Sequence, residues 1–106
     1  MEYVLVLTTT PNETDATALA RSLVEARLAA CVQIQPIRSI YRWKGEVLDE
    51  PEWRLLVKTR AERYSDVERH IRERHSYETP QIVCIKLDAG LPGYLLWIDE
   101  NTAPSA

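Results

Sequence analysis

Residues 27–59 read RLAACVQIQPIRSIYRWKGEVLDEPEWRLLVKT. Two runs rich in β-branched and aromatic residues, Ala30 to Arg42 and Glu46 to Thr59, flank a Trp43-Lys44-Gly45 corner, where glycine supplies the positive φ that a tight reversal needs. The stretch predicts one long hairpin. At about 3.3 Å per residue each arm reaches roughly 40 Å, whereas a compact domain of this length has a radius of gyration near ~13 Å. The tip should overhang the subunit and expose Ile40, Tyr41 and Trp43. An uncovered ladder of this kind invites pairing with another chain, so the stretch also predicts self-assembly.

Working outward, Pro36 breaks the alternation between Val32-x-Ile34 and the Ile37, Tyr41, Trp43 set and predicts a bulge on an edge strand. Asp49-Glu50-Pro51 marks a place where the return arm can divide into two strands. In that arm Trp53, Leu55 and Val57 share one face, with Arg54 and Lys58 on the other. Before the hairpin, Tyr3 to Thr10 is an apolar run that predicts a central strand ended by Pro11. A helix follows, capped by Asn12 or Thr14, with Ala16, Leu19, Ala20, Leu23 and Ala26 along one stripe.

After the hairpin, Ala61 to His75 alternates charges around Tyr64, Val67 and Ile71 and predicts a second helix. Ser76 to Pro80 is a turn, Gln81 to Leu87 a strand, and Tyr94 to Ile98 a short C-terminal helix before a loose tail at Ala103 to Ala106. The order β-α-β-β-α-β is that of a ferredoxin-like α+β sandwich, a single domain over residues 1–106. Leu19, Leu23, Trp53, Val57, Ile71 and Val83 are the expected core. Cys31 and Cys84 fall on strands that this fold puts at opposite edges, too far apart for a disulfide.

Sixteen acidic and thirteen basic residues give a net charge of −3, with no basic stripe to suit nucleic acid. No apolar stretch approaches the ~20 residues that cross a membrane. The N-terminus enters a strand without a leader pattern, and two cysteines are too few for a secreted disulfide framework, so a soluble, cytoplasmic protein is expected. No phosphate-cradling glycine loop can be built from three glycines.

Five motifs run in order along the chain: Ala26-Arg27-Leu28-Ala29-Ala30-Cys31-Val32, Ser39-Ile40-Tyr41-Arg42-Trp43-Lys44-Gly45, Leu56-Val57-Lys58-Thr59, Tyr77-Glu78-Thr79-Pro80 and Tyr94-Leu95-Leu96-Trp97. Through them the sequence resembles the CutA divalent-cation-tolerance family. The resemblance implies a ferredoxin-like subunit in a tight homotrimer built through its long hairpins, similar to the PII signalling proteins. It implies a role in tolerance of copper and other divalent cations that is binding or regulatory rather than catalytic. It also places the family's metal-ligand positions at Thr8, Arg74 and His75, of which only His75 is a metal-binding side chain here. Thr8 and Arg74 depart from that pattern, since neither hydroxyl nor guanidinium replaces a soft donor.

Weakly held Cu²⁺ or another divalent cation is therefore expected at His75, Glu78 or Cys31. His75 is otherwise read as interacting with the last carbonyls of the second helix, and Cys31 as a small buried hydrophobe. His70 and His75 point about 140° apart around a helix at 3.6 residues per turn and cannot form one clamp. Cys31, Trp43, Lys58, Thr59, Tyr77 and Glu78 are the candidates for a ligand pocket at a subunit seam, which in a PII-like sensor would take a small anionic ligand. Tyr41, Trp43 and Trp97 are read as packing at an assembly seam. The acidic residues Glu46, Asp49, Glu50 and Glu52 are read as solvated. An enzyme using Cys31 as nucleophile is the weakest reading, because no His or Asp partner can be placed beside it.

Overall fold

The computed structural model describes residues 2–104. Along the chain lie β1 (Tyr3–Thr10), α1 (Glu13–Glu25), β2 (Cys31–Trp43), β3 (Glu46–Arg60), a 3₁₀ turn (Ala61–Arg63), α2 (Tyr64–Arg74), β4 (Ile82–Leu87) and α3 (Pro92–Thr102). The four strands form one antiparallel sheet in the order β2-β3-β1-β4. The ferredoxin-like arrangement expected from the sequence is present, with Cys31 and Cys84 on opposite edge strands, both free.

Alternation along the strands sorts side chains onto two faces. Val4, Val6, Leu55 and Val57 point to one face, where Ala16, Leu19, Ala20 and Leu23 of α1 and Val67 and Ile71 of α2 close a buried core. The other face carries Tyr3, Lys58 and Arg60 and receives α3, through Tyr3 Oη to Asp99 Oδ2 at 2.6 Å and Arg60 Nε to Thr102 Oγ1 at 2.9 Å.

Local chemistry sets the element ends. Asn12 Oδ1 accepts from the Asp15 amide at 2.7 Å and starts α1. The helix ends with Arg27 at φ 59, the Arg27 amide bonding Val24 O and the Leu28 amide bonding Leu23 O, each at 3.0 Å. That is the Schellman pattern, with arginine where glycine is usual. The arginine has a second role that glycine lacks. Its Nε and Nη2 donate to Ala103 O and Glu100 O at 2.7 and 2.6 Å, tying the end of α3 to the end of α1. Arg60 and Arg63 add donors to Thr102 O at 2.7 and 2.9 Å, which supplies cations to a helix C-terminus that has no basic residue of its own.

The hairpin turns at Lys44 (φ 50) and Gly45 (φ 83), two consecutive positive φ values that suit the right-handed twist of the arms. β1 ends opposite Trp53. Beyond that point the hairpin is a two-stranded ribbon with no third strand paired to it among the described residues, and it stretches the molecule to 46 × 27 × 21 Å.

Several expectations are corrected. Pairing runs unbroken from Cys31↔Lys58 to Trp43↔Glu46, so Pro36 causes no bulge and Asp49-Glu50-Pro51 does not split β3. An edge strand tolerates a missing N–H that would face away from its one neighbour. Val83 is not core: it is 44% exposed, because β4 is an edge strand and Val83 lies on the face opposite α1 and α2. Ala26 is the exposed C-cap of α1 rather than part of its stripe, and Trp53 is half-buried against the core. The second helix opens as a 3₁₀ turn and ends at Arg74, and the C-terminal helix spans 11 residues, longer than expected. Of the predicted tail, Ser105 and Ala106 lie outside the described residues.

Candidate functional site

The base of the ribbon and the 76–81 segment enclose a cleft of about 850 Å³. Tyr41, Trp43, Glu52 and Arg54 come from the hairpin, Thr9 from the end of β1, and Tyr77 and Glu78 from the segment after α2. Strand alternation explains the hairpin contribution. Glu52 and Arg54 lie on the face of β3 turned away from α1, opposite Ile37 and Gln35.

His75 fixes the far wall. Its Nε2–H donates to Thr9 O at 2.5 Å and its Nδ1 accepts from the Tyr77 amide at 3.0 Å. Both ring nitrogens are engaged, so the residue ties the end of α2 to the end of β1 and does not approach the last carbonyls of its own helix. Arg74 takes that position, with Nη1 donating to His70 O at 3.2 Å. His70 faces α1, its Nε2 2.8 Å from Ser22 Oγ, and burial, seconded by the Arg74 charge, pushes its pKa down.

From the wall, Tyr77 Oη donates to Glu52 Oε2 at 2.9 Å. Burial first and this carboxylate second push the Tyr77 phenol well up, so it stays a donor at neutral pH. The Tyr41 hydroxyl bonds the Glu50 carboxylate and is pushed up to about 12, mainly by that bond. At the tip, Lys44 Nζ lies 3.4 Å from Glu78 Oε2 and 5.5 Å from the Trp43 ring centroid.

The candidate residues therefore separate. Trp43, Tyr77 and Glu78 meet in the cleft, with His75 behind them. Cys31 and Lys58 pair across the hairpin root, on the face that carries α3. There Lys58 Nζ is 3.1 Å from Tyr94 Oη and 5.2 Å from that ring's centroid. Trp97 stacks on Tyr94 at 5.5 Å, away from Tyr41 and Trp43. Thr59 is fully buried on the α1 face, where its Oγ1 donates to Leu28 O at 2.7 Å, so it lines no pocket. Thr8 is likewise fully buried on that face, with no partner for its hydroxyl among the described residues, while Arg74 is exposed. Among the described residues no three His, Cys, Asp or Glu side chains gather as a metal site.

Sequence reasoning misses Glu52 and Arg54 as site residues. Glu52, grouped with solvated acids on charge alone, is only 8% exposed. The signal was present in the period-2 pattern: the same alternation that turns Trp53 and Leu55 towards the core turns Glu52 and Arg54 to the cleft face.

Sheet order, helix placement and overhanging ribbon define a ferredoxin-like α+β protein with a ligand-sized cleft at the ribbon's base. A family model described as CutA1 divalent ion tolerance protein matches residues 4–101, and the chain belongs to that family. It is 44% identical over 99 residues to the divalent-cation tolerance protein CutA of Thermus thermophilus, covering 92% of this chain and 96% of the relative. The solved structure of the Thermus thermophilus protein superposes with a TM-score of 0.92 at 43% identity, covering 95% of this chain and 99% of that one. A structure from Archaeoglobus fulgidus, described as a periplasmic divalent cation tolerance protein CutA, superposes at 0.94 with 38% identity over 95% of this chain and 99% of its own.

Proposed function

We propose that this divalent-cation tolerance protein acts as a cytoplasmic homotrimer that binds copper or another divalent cation loosely, and that its role is regulatory rather than catalytic. The observation that supports it most is the outer ribbon, whose Ile40 and Val47 are 65% and 63% exposed on a two-stranded element with no third strand beside it among the described residues. A bare hairpin is marginal in water, and neighbouring copies are the economical cover. Val83, Ile85, Leu91 and Leu96 extend the exposed apolar surface along β4 and α3.

Within one chain, Cu²⁺ is held by His75 with Glu78, or by the Cys31 thiol, and by water. Coordination through His75 Nδ1 displaces the Tyr77 amide, which lowers affinity. Calorimetric titration with Cu²⁺ at neutral pH tests this on wild type, His75→Ala and Cys31→Ala. Affinity weaker than micromolar, reduced by at least one substitution, is expected. Submicromolar affinity untouched by both would show that the ligands are elsewhere.

The cleft favours a second reading, a PII-like signalling trimer whose cleft takes a small ligand, since its volume falls in the range of small-molecule sites. A ligand-dependent rise in melting temperature tests it.

A further inference from the structure

The cleft holds two opposite charges that do not neutralise each other. Glu52 and Arg54 are two residues apart on one face of β3, about 6.6 Å along the strand, yet each is drawn to a neutral partner. Arg54 Nε and Nη2 both donate to Gln35 Oε1, at 2.9 and 2.5 Å, across the hairpin. The Glu52 carboxylate accepts from Tyr77 Oη in the opposite wall. Among the described residues neither has an ionic partner within the cleft. The other charged side chains that line it are already paired, Arg38 with Asp49 at 2.6 Å and Glu78 with Lys44 at 3.4 Å.

A carboxylate that is 8% exposed and a half-buried guanidinium, each bonded to a neutral side chain, favour a ligand that supplies both counter-charges at once. The α-amino acids carry an ammonium and a carboxylate on one carbon, which suits two groups two residues apart. Nη1 of Arg54 remains free to bond a carboxylate. Beyond the charges, Ile37, Tyr41 and Trp43 offer apolar and aromatic surface for the rest of the ligand. We propose that the cleft is a site for a zwitterion, a free α-amino acid with an apolar or aromatic side chain, its ammonium on Glu52 and its carboxylate on Arg54. This rests on the reading of the cleft as a small-ligand site.

The test compares three probes with one body: L-phenylalanine, 2-phenylethylamine, which lacks the carboxylate, and 3-phenylpropionate, which lacks the ammonium. Titration of the intact protein should show L-phenylalanine binding at least about tenfold more tightly than either analogue, about 1.4 kcal/mol for each lost charge. Glu52→Gln, which keeps an acceptor for Tyr77, should weaken L-phenylalanine and 2-phenylethylamine but spare 3-phenylpropionate. Arg54→Gln should do the reverse with the two analogues. The comparison on wild type stands even if a variant melts early. Analogues that bind as well as L-phenylalanine would overturn the zwitterion and leave an apolar ligand cleft. Failure of all three to bind would overturn this proposal, while the small-ligand reading of the cleft stands or falls on the melting-temperature test.

Discussion

The two halves of the β2–β3 hairpin share one register and one alternation of side chains, yet they live in different surroundings. At the root, Leu55 and Val57 are fully buried between β1, β2 and the two helices, and Thr59 spends its hydroxyl on Leu28 O. At the tip, Ile40 and Val47 stand in the open, and among the described residues no third strand pairs with the arms, which meet only side chains of the 76–81 segment. The contrast shows that pairing alone does not decide burial. What decides it is where β1 stops, opposite Trp53. Past that point the chain keeps building strand without a core to build on, which is what the proposed assembly of copies would cover.

Substitution should separate the halves most strongly. Leu55→Ala at the root is expected to cost about 2–5 kcal/mol of unfolding free energy through the cavity it leaves. Ile40→Ala at the tip should change the stability of an isolated chain by no more than about 0.5 kcal/mol, while raising the concentration below which the assembly falls apart. Denaturant melts, and sedimentation across a dilution series, read the two effects. Equal costs at both positions would erase the distinction between root and tip.

Much of the fold was legible in the sequence because its signals are local: β-branched alternation at the hairpin root, the Asn12 cap of α1, and Gly45 at the hairpin turn. Pro36 is ambiguous in the sequence, because a proline inside a strand signals a break, while an edge position lets it sit in register opposite Trp53. The cleft was less legible. Tyr77 and Glu78 were found through a motif, but Glu52 and Arg54 gain their meaning only when the 76–81 segment folds back onto the ribbon, a contact between residues some 25 positions apart. His75 was noticed as an imidazole. That both its nitrogens would be used to join β1 and the turn follows from tertiary geometry that no spacing encodes.

A smaller effect is expected where the halves meet. His75→Ala removes the bonds to Thr9 O and the Tyr77 amide and should cost about 1 kcal/mol, with faster amide exchange over residues 76–80 and little change in α1. Uniform loss of protection would mean that His75 supports the whole fold rather than the cleft wall.

The smallest effects are in pH, and they fall in separate windows. His70, in the helical layer above the root, has its folded pKa pushed below the ordinary 6.5, so the neutral ring stabilises the fold. That contribution is complete above 6.5 and is lost as pH falls through the lower, folded value. Asp49 at the tip is held below the ordinary 3.8 by Arg38, so its contribution persists to more acid conditions before protonation removes it. Amide exchange followed from neutral to acid pH should show the α1–α2 contact loosen first and the ribbon later. His70→Gln should abolish only the first step.

The central claim is that the tip is covered by copies of the same chain, and particle mass tests it most directly. Light scattering at micromolar concentration should return three chains per particle, each of 12.2 kDa. A particle of one chain, with the ribbon left bare in solution, would contradict the account.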